Sequence, residues 1–366
     1  MSNKNRFKEG NMTRVDLITG FLGSGKTTFI KEYASYLAKQ GSRTAIIVND
    51  YGAINVDRML LGDTLSDSCH LEMVIGGDAD CTRRRLKTKL ITVAMAGYDH
   101  VIFEPSGIFD VEEFCDLLYE EPLERWYKMG SVITIMEDGI GDDLSGEAEY
   151  IFTSQIAKAG TVIVSKVGDA HESTAVEEAK IKTAMESAVE ASIVDPSMAE
   201  ATEIYIKRRN LEYINSCLEK YKCSRRFDDL FLWKKGEITP AAFEKIKNSS
   251  YHSDSLPRYI RSSDGSDNDK SSFESTFFFH PEVKEDEIEK TVRLIFDDPE
   301  TGTVIRLKGF IKNNEGNWLE INATKKAINI CPISIGQELF IVIGEGLNHE
   351  KIRYILKSDE KIIGTD

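Results

Sequence analysis

A glycine-rich loop near the N-terminus most constrains how this chain can fold. Residues 20–28 read GFLGSGKTT, which places four residues between Gly20 and Gly25 and follows them at once with a lysine and a threonine. An apolar run at 15–19 precedes the loop, and a helical pattern at 29–34 follows it. Strand, loop and helix together make the phosphate-loop pattern. The nucleotide-binding residues predicted from it are Gly23, Ser24, Gly25, Lys26, Thr27 and Thr28.

The roles of these residues follow from the chemistry of the loop. Its backbone N–H groups bind phosphate oxygens, and the helix that begins near Lys26 adds the positive end of its dipole. We expect Lys26 to reach the β- and γ-phosphates as a catalytic cation and the Thr27 hydroxyl to ligate Mg²⁺.

Short apolar runs after the loop predict the fold class. Five Val/Ile-rich segments alternate with helical stretches, at residues 44–49, 71–75, 101–104, 132–135 and 161–164. Such runs indicate a mostly parallel sheet flanked by helices, an α/β fold of the P-loop NTPase type. Ligands of these sheets bind at the carboxyl ends of the strands.

The rest of the chain suggests three further parts after a nucleotide-binding domain at 12–170. Residues 171–248 are rich in Ala, Glu and Lys and predict a helical extension, and 249–276 are rich in Ser, Asp and Gly, as in a flexible linker. Residues 277–358 alternate strand and helix patterns and predict a smaller α+β domain.

Composition excludes several classes of function. The formal net charge is -15, which argues against nucleic-acid and anionic-membrane binding because both need a basic face. The six cysteines contain no Cys-x-x-Cys pair and fit a reducing compartment. The first eleven residues lack the apolar core of a signal peptide, and no apolar run has transmembrane length. We expect a soluble, cytoplasmic protein.

Two polar segments follow predicted strands. Glu104 ends one strand and is followed by Pro-Ser-Gly, so Glu104 is expected to hold Mg²⁺ and the Gly107 N–H to meet the γ-phosphate. Asp50 ends the second strand, where its carboxylate would complete the Mg²⁺ shell or position the attacking water. A solvated turn is the alternative for Asp50, because Asp and Gly also favour turns.

The loop after the third strand offers ligands of mixed chemistry. Residues 76–85 read GGDADCTRRR, so Asp78, Asp80 and Cys81 form a candidate transition-metal site of carboxylates and one thiolate. The alternative is a switch or loop element whose aspartates pair with the arginines or cap the next helix. Cys69 and His70, just upstream, are further candidate ligands.

The segment after the last strand of this domain predicts base recognition. A guanine-reading loop offers an amide, a lysine stem and a carboxylate. Here Lys166 is in place, Ser165 stands where Asn is usual, and Asp169 lies one residue late. By analogy with other proteins that recognise bases, a carboxylate contact to the base contributes about 1–3 kcal/mol of discrimination against the wrong base. The segment therefore predicts a preference for guanine, but its departures from the usual pattern leave the choice of base open.

These motifs together resemble the CobW-like GTPase family, related to the HypB and UreG GTPases of nickel-enzyme maturation. The resemblance covers 15–169 and again about 277–356, where RLKG at 306–309 and VIGEGL at 342–347 look like the family's C-terminal domain. It implies GTP hydrolysis coupled to metal delivery or metal-cofactor insertion. The chain departs from the family's Gly-Cys-x-Cys-Cys-Thr motif, because Asp78 and Asp80 occupy two cysteine positions and Cys81 remains. Carboxylate ligands favour harder ions, or the loop has lost metal binding.

The sequence thus predicts an Mg²⁺-dependent GTPase that serves as a metallochaperone or maturation factor, with Zn²⁺ or Co²⁺ as candidate cargo. Its partners would be GTP and a client metalloprotein or corrinoid protein. Turnover is expected to be slow because no arginine finger is evident, with Arg83–Arg85 as candidates in cis or across a homodimer. A nucleotide-gated, non-catalytic activator and a small-molecule kinase are the alternatives.

Overall fold

The computed structural model describes residues 12–21, 23–50, 69–75, 79–105, 111–140, 144, 146–167, 198–252, 273–325, 328–333, 336 and 338–358. Two sheets organise these residues, one of seven strands and one of five.

The first sheet is parallel throughout. Its order is β3-β2-β4-β1-β5-β6-β7, and every neighbouring pair is parallel. Its strands are β1 (Thr13–Thr19), β2 (Thr44–Asp50), β3 (Cys69–Ile75), β4 (His100–Glu104), β5 (Tyr127–Glu137), β6 (Thr161–Ser165) and β7 (Phe231–Leu232). The carboxyl ends of these strands therefore meet at one edge of the sheet, which is where the glycine loop lies.

Helices cover both faces of this sheet. They are α1 (Lys26–Lys39), α2 (Ala79–Ala96), α3 (Val111–Leu118), α4 (Gly146–Lys158), α5 (Met198–Lys220) and α6 (Pro240–Lys247). Helices α1 and α6 bury Phe29, Tyr33 and Phe243 in one core. On the other face, α2 to α5 pack in a second core that includes Phe114 and Phe152. The predicted α/β fold with a parallel sheet between helices is confirmed.

The second sheet is antiparallel and has the order β11-β10-β9-β12-β8. Its elements are β8 (Phe273–Phe279), α7 (Ile288–Asp297), β9 (Thr303–Lys312), β10 (Trp318–Thr324), β11 (Ile328–Ile333), β12 (Leu339–Glu345) and α8 (His349–Leu356). Side chains on α7 and α8 share a core with one face of the sheet. On the opposite face, Phe310, Leu339 and Ile341 join the core that also holds α4 and α5. This small sheet therefore packs directly against the nucleotide-binding part of the chain.

Two strands were not predicted from the sequence. The two-residue strand β7 lies within the stretch expected to be a helical extension, and it adds to the parallel sheet beside β6. The backbone N–H of Trp233 continues this pairing by donating to the Val164 carbonyl at 2.8 Å. The other is β11, whose residues pair with β10 at the edge of the second sheet. Both are short or edge strands, so their apolar periodicity is weak.

A buried carboxylate anchors β1 below the glycine loop. Asp16 is fully buried and accepts four hydrogen bonds, from Arg14 Nε at 2.8 Å, the Ser131 backbone N–H at 2.7 Å, Tyr33 Oη at 2.6 Å and His100 Nε2 at 2.6 Å. Burial alone raises the pKa of Asp16. The hydrogen bond and charge of His100, with those of Arg14 and Tyr33, outweigh burial and lower the pKa below its ordinary value. The carboxylate thus ties β1 to α1, β4 and β5.

Candidate nucleotide site

The loop between β1 and α1 has the backbone of a phosphate cradle. Gly25 is the N-cap of α1 and lies in the left-handed region with φ 98°, and Gly23 lies there with φ 73°. Glycine adopts these angles without steric cost, so the loop can turn its N–H groups inward. The first turn of α1 contains no acidic residue, and Gly25 at the N-cap has no side chain that could accept hydrogen bonds from the first N–H groups of the helix. The helix start therefore presents backbone donors to an anion.

Lys26 lies over this loop. Its side chain is 6% exposed, and Nζ donates to the carbonyl oxygens of Gly20 at 2.9 Å and Phe21 at 3.0 Å. The ammonium is thereby held at the centre of the loop, where an anionic ligand would meet it. Ser24 adds a buried hydroxyl for which the described residues provide no hydrogen-bond partner, as expected of a group that faces a polar ligand.

Thr27 and Glu104 meet at the same edge. The Thr27 hydroxyl donates to Glu104 Oε1 at 3.4 Å, although 77 residues separate them in sequence. One begins α1 and the other ends β4, and because β4 is paired with β1 their ends are adjacent. A hydroxyl beside a carboxylate is a hard-oxygen donor set that fits Mg²⁺. Thr28 follows in the first turn of α1 and is half-buried.

Ser165 links the segment after β6 to the phosphate loop. Its Oγ lies 2.6 Å from the Ser24 carbonyl oxygen and 3.1 Å from that of Met136, either of which can accept its proton. The short side chain thus attaches the predicted base-reading segment to the loop. Lys166 follows, and its Nζ pairs with Glu137 Oε2 at 2.8 Å.

Three residues at this site were missed by the sequence reasoning. Glu137 ends β5 and contacts both Lys166 and Arg306, a residue of β9 that also reaches the glycine loop. Trp233 lies against Gly25, where a Cβ would be 3.0 Å from the indole, and packs edge-on to Phe29 at 5.6 Å. The position of Glu137 at a strand end was an available signal. The contacts of Arg306 and Trp233 arise from tertiary packing alone.

Several predicted site residues lie outside the described residues. Gly107, Asp78 and Asp169 are among these residues. The backbone of Asp50 ends β2, and the backbones of Asp80 and Cys81 lie in the first turn of α2, while their side chains lie outside what is described. The predicted transition-metal site therefore stays a prediction. In the described part of the chain, no group of three or more His, Cys, Asp or Glu side chains is arranged to hold a metal.

The structure also places the secondary candidates. Cys69 and His70 begin β3, about 17–20 Å from its other end at 3.3 Å per residue, and His70 pairs with Glu72 at 2.8 Å. They are therefore not beside the loop that follows β3. Among the arginine-finger candidates, Arg83 pairs with Glu120 after α3. No described helix is long and apolar enough to cross a membrane.

Part of this chain is similar in sequence to known proteins. Residues 14–194 match the CobW/HypB/UreG nucleotide-binding domain. The zinc chaperone YeiR of Escherichia coli is 30% identical over 157 residues, which are 42% of this chain and 47% of YeiR. The zinc-regulated GTPase metalloprotein activator 1 of Schizosaccharomyces pombe is 24% identical over 159 residues, 42% of this chain and 38% of that protein.

Among solved structures, the Zn(II)-bound YjiA GTPase from Escherichia coli aligns over 95% of this chain and 99% of its own, with 18% identity and a TM-score of 0.36. The chain spans about half the length, or less, of the curated relatives named above. By the match at residues 14–194, the chain carries a nucleotide-binding domain of the CobW/HypB/UreG family.

Proposed function

We propose that this protein is an Mg²⁺-dependent GTPase that acts as a metallochaperone or metalloenzyme maturation factor. The observation that carries the proposal is the meeting of Thr27 with Glu104, 3.4 Å apart, beside the buried ammonium of Lys26. A cation for the phosphates and an oxygen pair for Mg²⁺ are the parts that phosphoryl transfer to water requires.

In this proposal the loop N–H groups and Lys26 hold the phosphates. Thr27 and Glu104 would hold Mg²⁺, which would supply positive charge to the phosphoryl oxygens. Asp50 adds to the Mg²⁺ shell or positions the attacking water, and the Gly107 N–H meets the γ-phosphate. The segment after β6 would read guanine through Lys166 and Asp169. Ser165 positions this segment through its contact with the Ser24 carbonyl.

Metal handling is the second half of the proposal. Asp78, Asp80 and Cys81 are the proposed ligands for Zn²⁺ or Co²⁺, and the names of the curated relatives support a metal cargo. Loss of γ-phosphate contacts on hydrolysis would reposition the segments around Asp50 and Asp78, as in other switch GTPases. A client metalloprotein or corrinoid protein would receive the metal or be activated. Slow intrinsic turnover and a homodimer are further expectations of the same proposal.

A Thr27→Ala variant tests the Mg²⁺ assignment. We expect its GTP hydrolysis rate to fall at least about tenfold and its half-saturating Mg²⁺ concentration to rise, because one metal ligand is removed. Phosphate release is measured with GTP and with ATP across a Mg²⁺ series. Thr92→Ala, which removes an exposed hydroxyl on α2, is the matched control and should behave as wild type.

The same assay separates the alternative functions. GTP-dependent phosphate release that is faster than release from ATP supports the GTPase. Tight GTP binding without hydrolysis, with and without Zn²⁺ or Co²⁺, would favour the non-catalytic activator. Phosphate transfer to an added small molecule would favour the kinase.

A further inference from the structure

One arginine of the second sheet reaches the phosphate loop. Arg306 lies on β9, and its Nη2 donates to the Gly23 carbonyl at 2.9 Å across 283 residues of sequence. Its side chain is 8% exposed. A Cβ built on Gly23 would lie 1.6 Å from Arg306 Cζ, so the guanidinium lies directly against the loop backbone. Only glycine at this position leaves room for that approach.

Arg306 also lies beside the segment predicted to read the base. Its Nη1 is 3.4 Å from Glu137 Oε2, the same oxygen that Lys166 Nζ approaches to 2.8 Å. The guanidinium thus contacts the loop from one side and shares a carboxylate with the base-reading lysine on the other. This position is at the nucleotide-binding edge of the parallel sheet, although the residue belongs to another sheet.

The guanidinium is incompletely compensated by the described residues. Burial lowers the pKa of Arg306 and outweighs the opposing effect of Glu137. Its Nε is buried, and the described residues provide no hydrogen-bond partner for it. A buried guanidinium with spare donors is costly unless an anion completes its hydrogen bonds. Its planar fork of donors matches phosphate oxygens well.

We propose that Arg306 is a nucleotide-binding residue, contributed by the C-terminal sheet, whose guanidinium donates hydrogen bonds to phosphate oxygens of a nucleotide held in the glycine loop. The proposal rests on the nucleotide binding proposed above and deepens it. Since Arg306 and the loop belong to different sheets, nucleotide binding would strengthen the contact between them. The C-terminal sheet would then sense the occupancy of the nucleotide site directly.

The test is calorimetric titration of the full chain with Mg·GTP and with Mg·GDP. We expect Arg306→Ala to weaken binding of both nucleotides at least about tenfold, because charge-assisted hydrogen bonds to phosphate are lost. Arg306→Lys keeps the charge without the fork and should lie between Arg306→Ala and wild type. Lys308→Ala is the matched control. Lys308 is two residues further along β9 and pairs with Glu320 at 3.2 Å, so its loss should leave affinity within about twofold of wild type.

Thermal unfolding with and without nucleotide distinguishes a nucleotide-binding role of Arg306 from a purely structural one. A nucleotide-binding Arg306 predicts a smaller nucleotide-induced rise in Tm in the variant, since that rise reports affinity. A lower Tm without nucleotide, with unchanged affinity, would show that Arg306 only joins the two sheets and would overturn the proposal. Tighter binding in Arg306→Ala would overturn it as well, because Arg306 would then compete with the nucleotide.

Two further outcomes are decisive. If wild type binds neither nucleotide, the proposed function fails and this inference fails with it. If wild type binds nucleotide and both Arg306 variants bind it as tightly as wild type does, only this inference fails. If Arg306→Ala does not fold, the nucleotide affinity of Arg306→Lys decides the question. An Arg306→Lys affinity equal to that of wild type would overturn the proposal.

Discussion

Replacing Lys26 with alanine is expected to weaken GTP binding by at least about 100-fold, because charge-assisted hydrogen bonds contribute about 1.5–3 kcal/mol each. Lys26 is buried, and its ammonium is positioned over the loop by the Gly20 and Phe21 carbonyls. Calorimetric titration with Mg·GTP measures the loss.

Lys39→Ala is the matched control for this experiment. Lys39 lies in the last turn of the same helix and is exposed, so its removal should leave GTP affinity unchanged. The Tm of each variant without nucleotide shows whether the fold is retained. A folded Lys26→Ala protein that binds GTP as tightly as wild type would refute the phosphate-loop assignment.

Removing the Asp16 carboxylate is expected to cost about 3–5 kcal/mol of unfolding free energy, the range for breaking a buried ion pair. The Asp16→Ala change leaves Arg14, His100 and Tyr33 without the acceptor they share. Chemical denaturation at pH 7 measures the loss. Asp99→Ala is the control, because that carboxylate is exposed, whereas Asp16 is fully buried; Asp99 accepts from the Arg43 backbone N–H.

The Asp16 effect should also depend on pH in a defined direction. The pKa of Asp16 is lowered in the folded protein, so its carboxylate stabilises the fold fully above the unfolded-state pKa of about 4. This contribution is lost as the pH falls through the lower, folded-state pKa. The difference in stability between wild type and Asp16→Asn should therefore shrink below about pH 4. A difference that grows on acidification would contradict the assignment.

The centre of this site could be predicted from the local sequence. The spacing of Gly20, Gly25 and Lys26 defines a loop whose backbone geometry is nearly independent of the rest of the chain, and the Val/Ile-rich runs around it predict a parallel sheet. Glu104 was predicted beside Thr27 because strand ends of such a sheet share one edge and because phosphate-loop proteins hold Mg²⁺ with an acidic residue at such an end.

The remaining contacts depend on long-range packing that a linear pattern does not contain. Arg306 is separated from Gly23 by 283 residues, and only the docking of the second sheet brings them together. Trp233 reaches Gly25 through a two-residue strand too short to show alternation. Ser165 was predicted as part of base recognition, whereas its hydroxyl contacts the phosphate-loop backbone. Tertiary contacts of this kind are found in the structure and not in the sequence pattern.

Nucleotide-dependent metal binding tests the central claim most directly. Metal-free protein is titrated calorimetrically with Zn²⁺ and with Co²⁺, in the presence and absence of Mg·GTP. The variants Cys81→Ala and Cys331→Ala are compared, the second removing an exposed cysteine of β11 as control. We predict transition-metal binding whose affinity changes with GTP, is lost in Cys81→Ala and persists in Cys331→Ala. Absence of Zn²⁺ and Co²⁺ binding in every nucleotide state would contradict the metallochaperone account and leave a GTPase that activates its client without carrying metal.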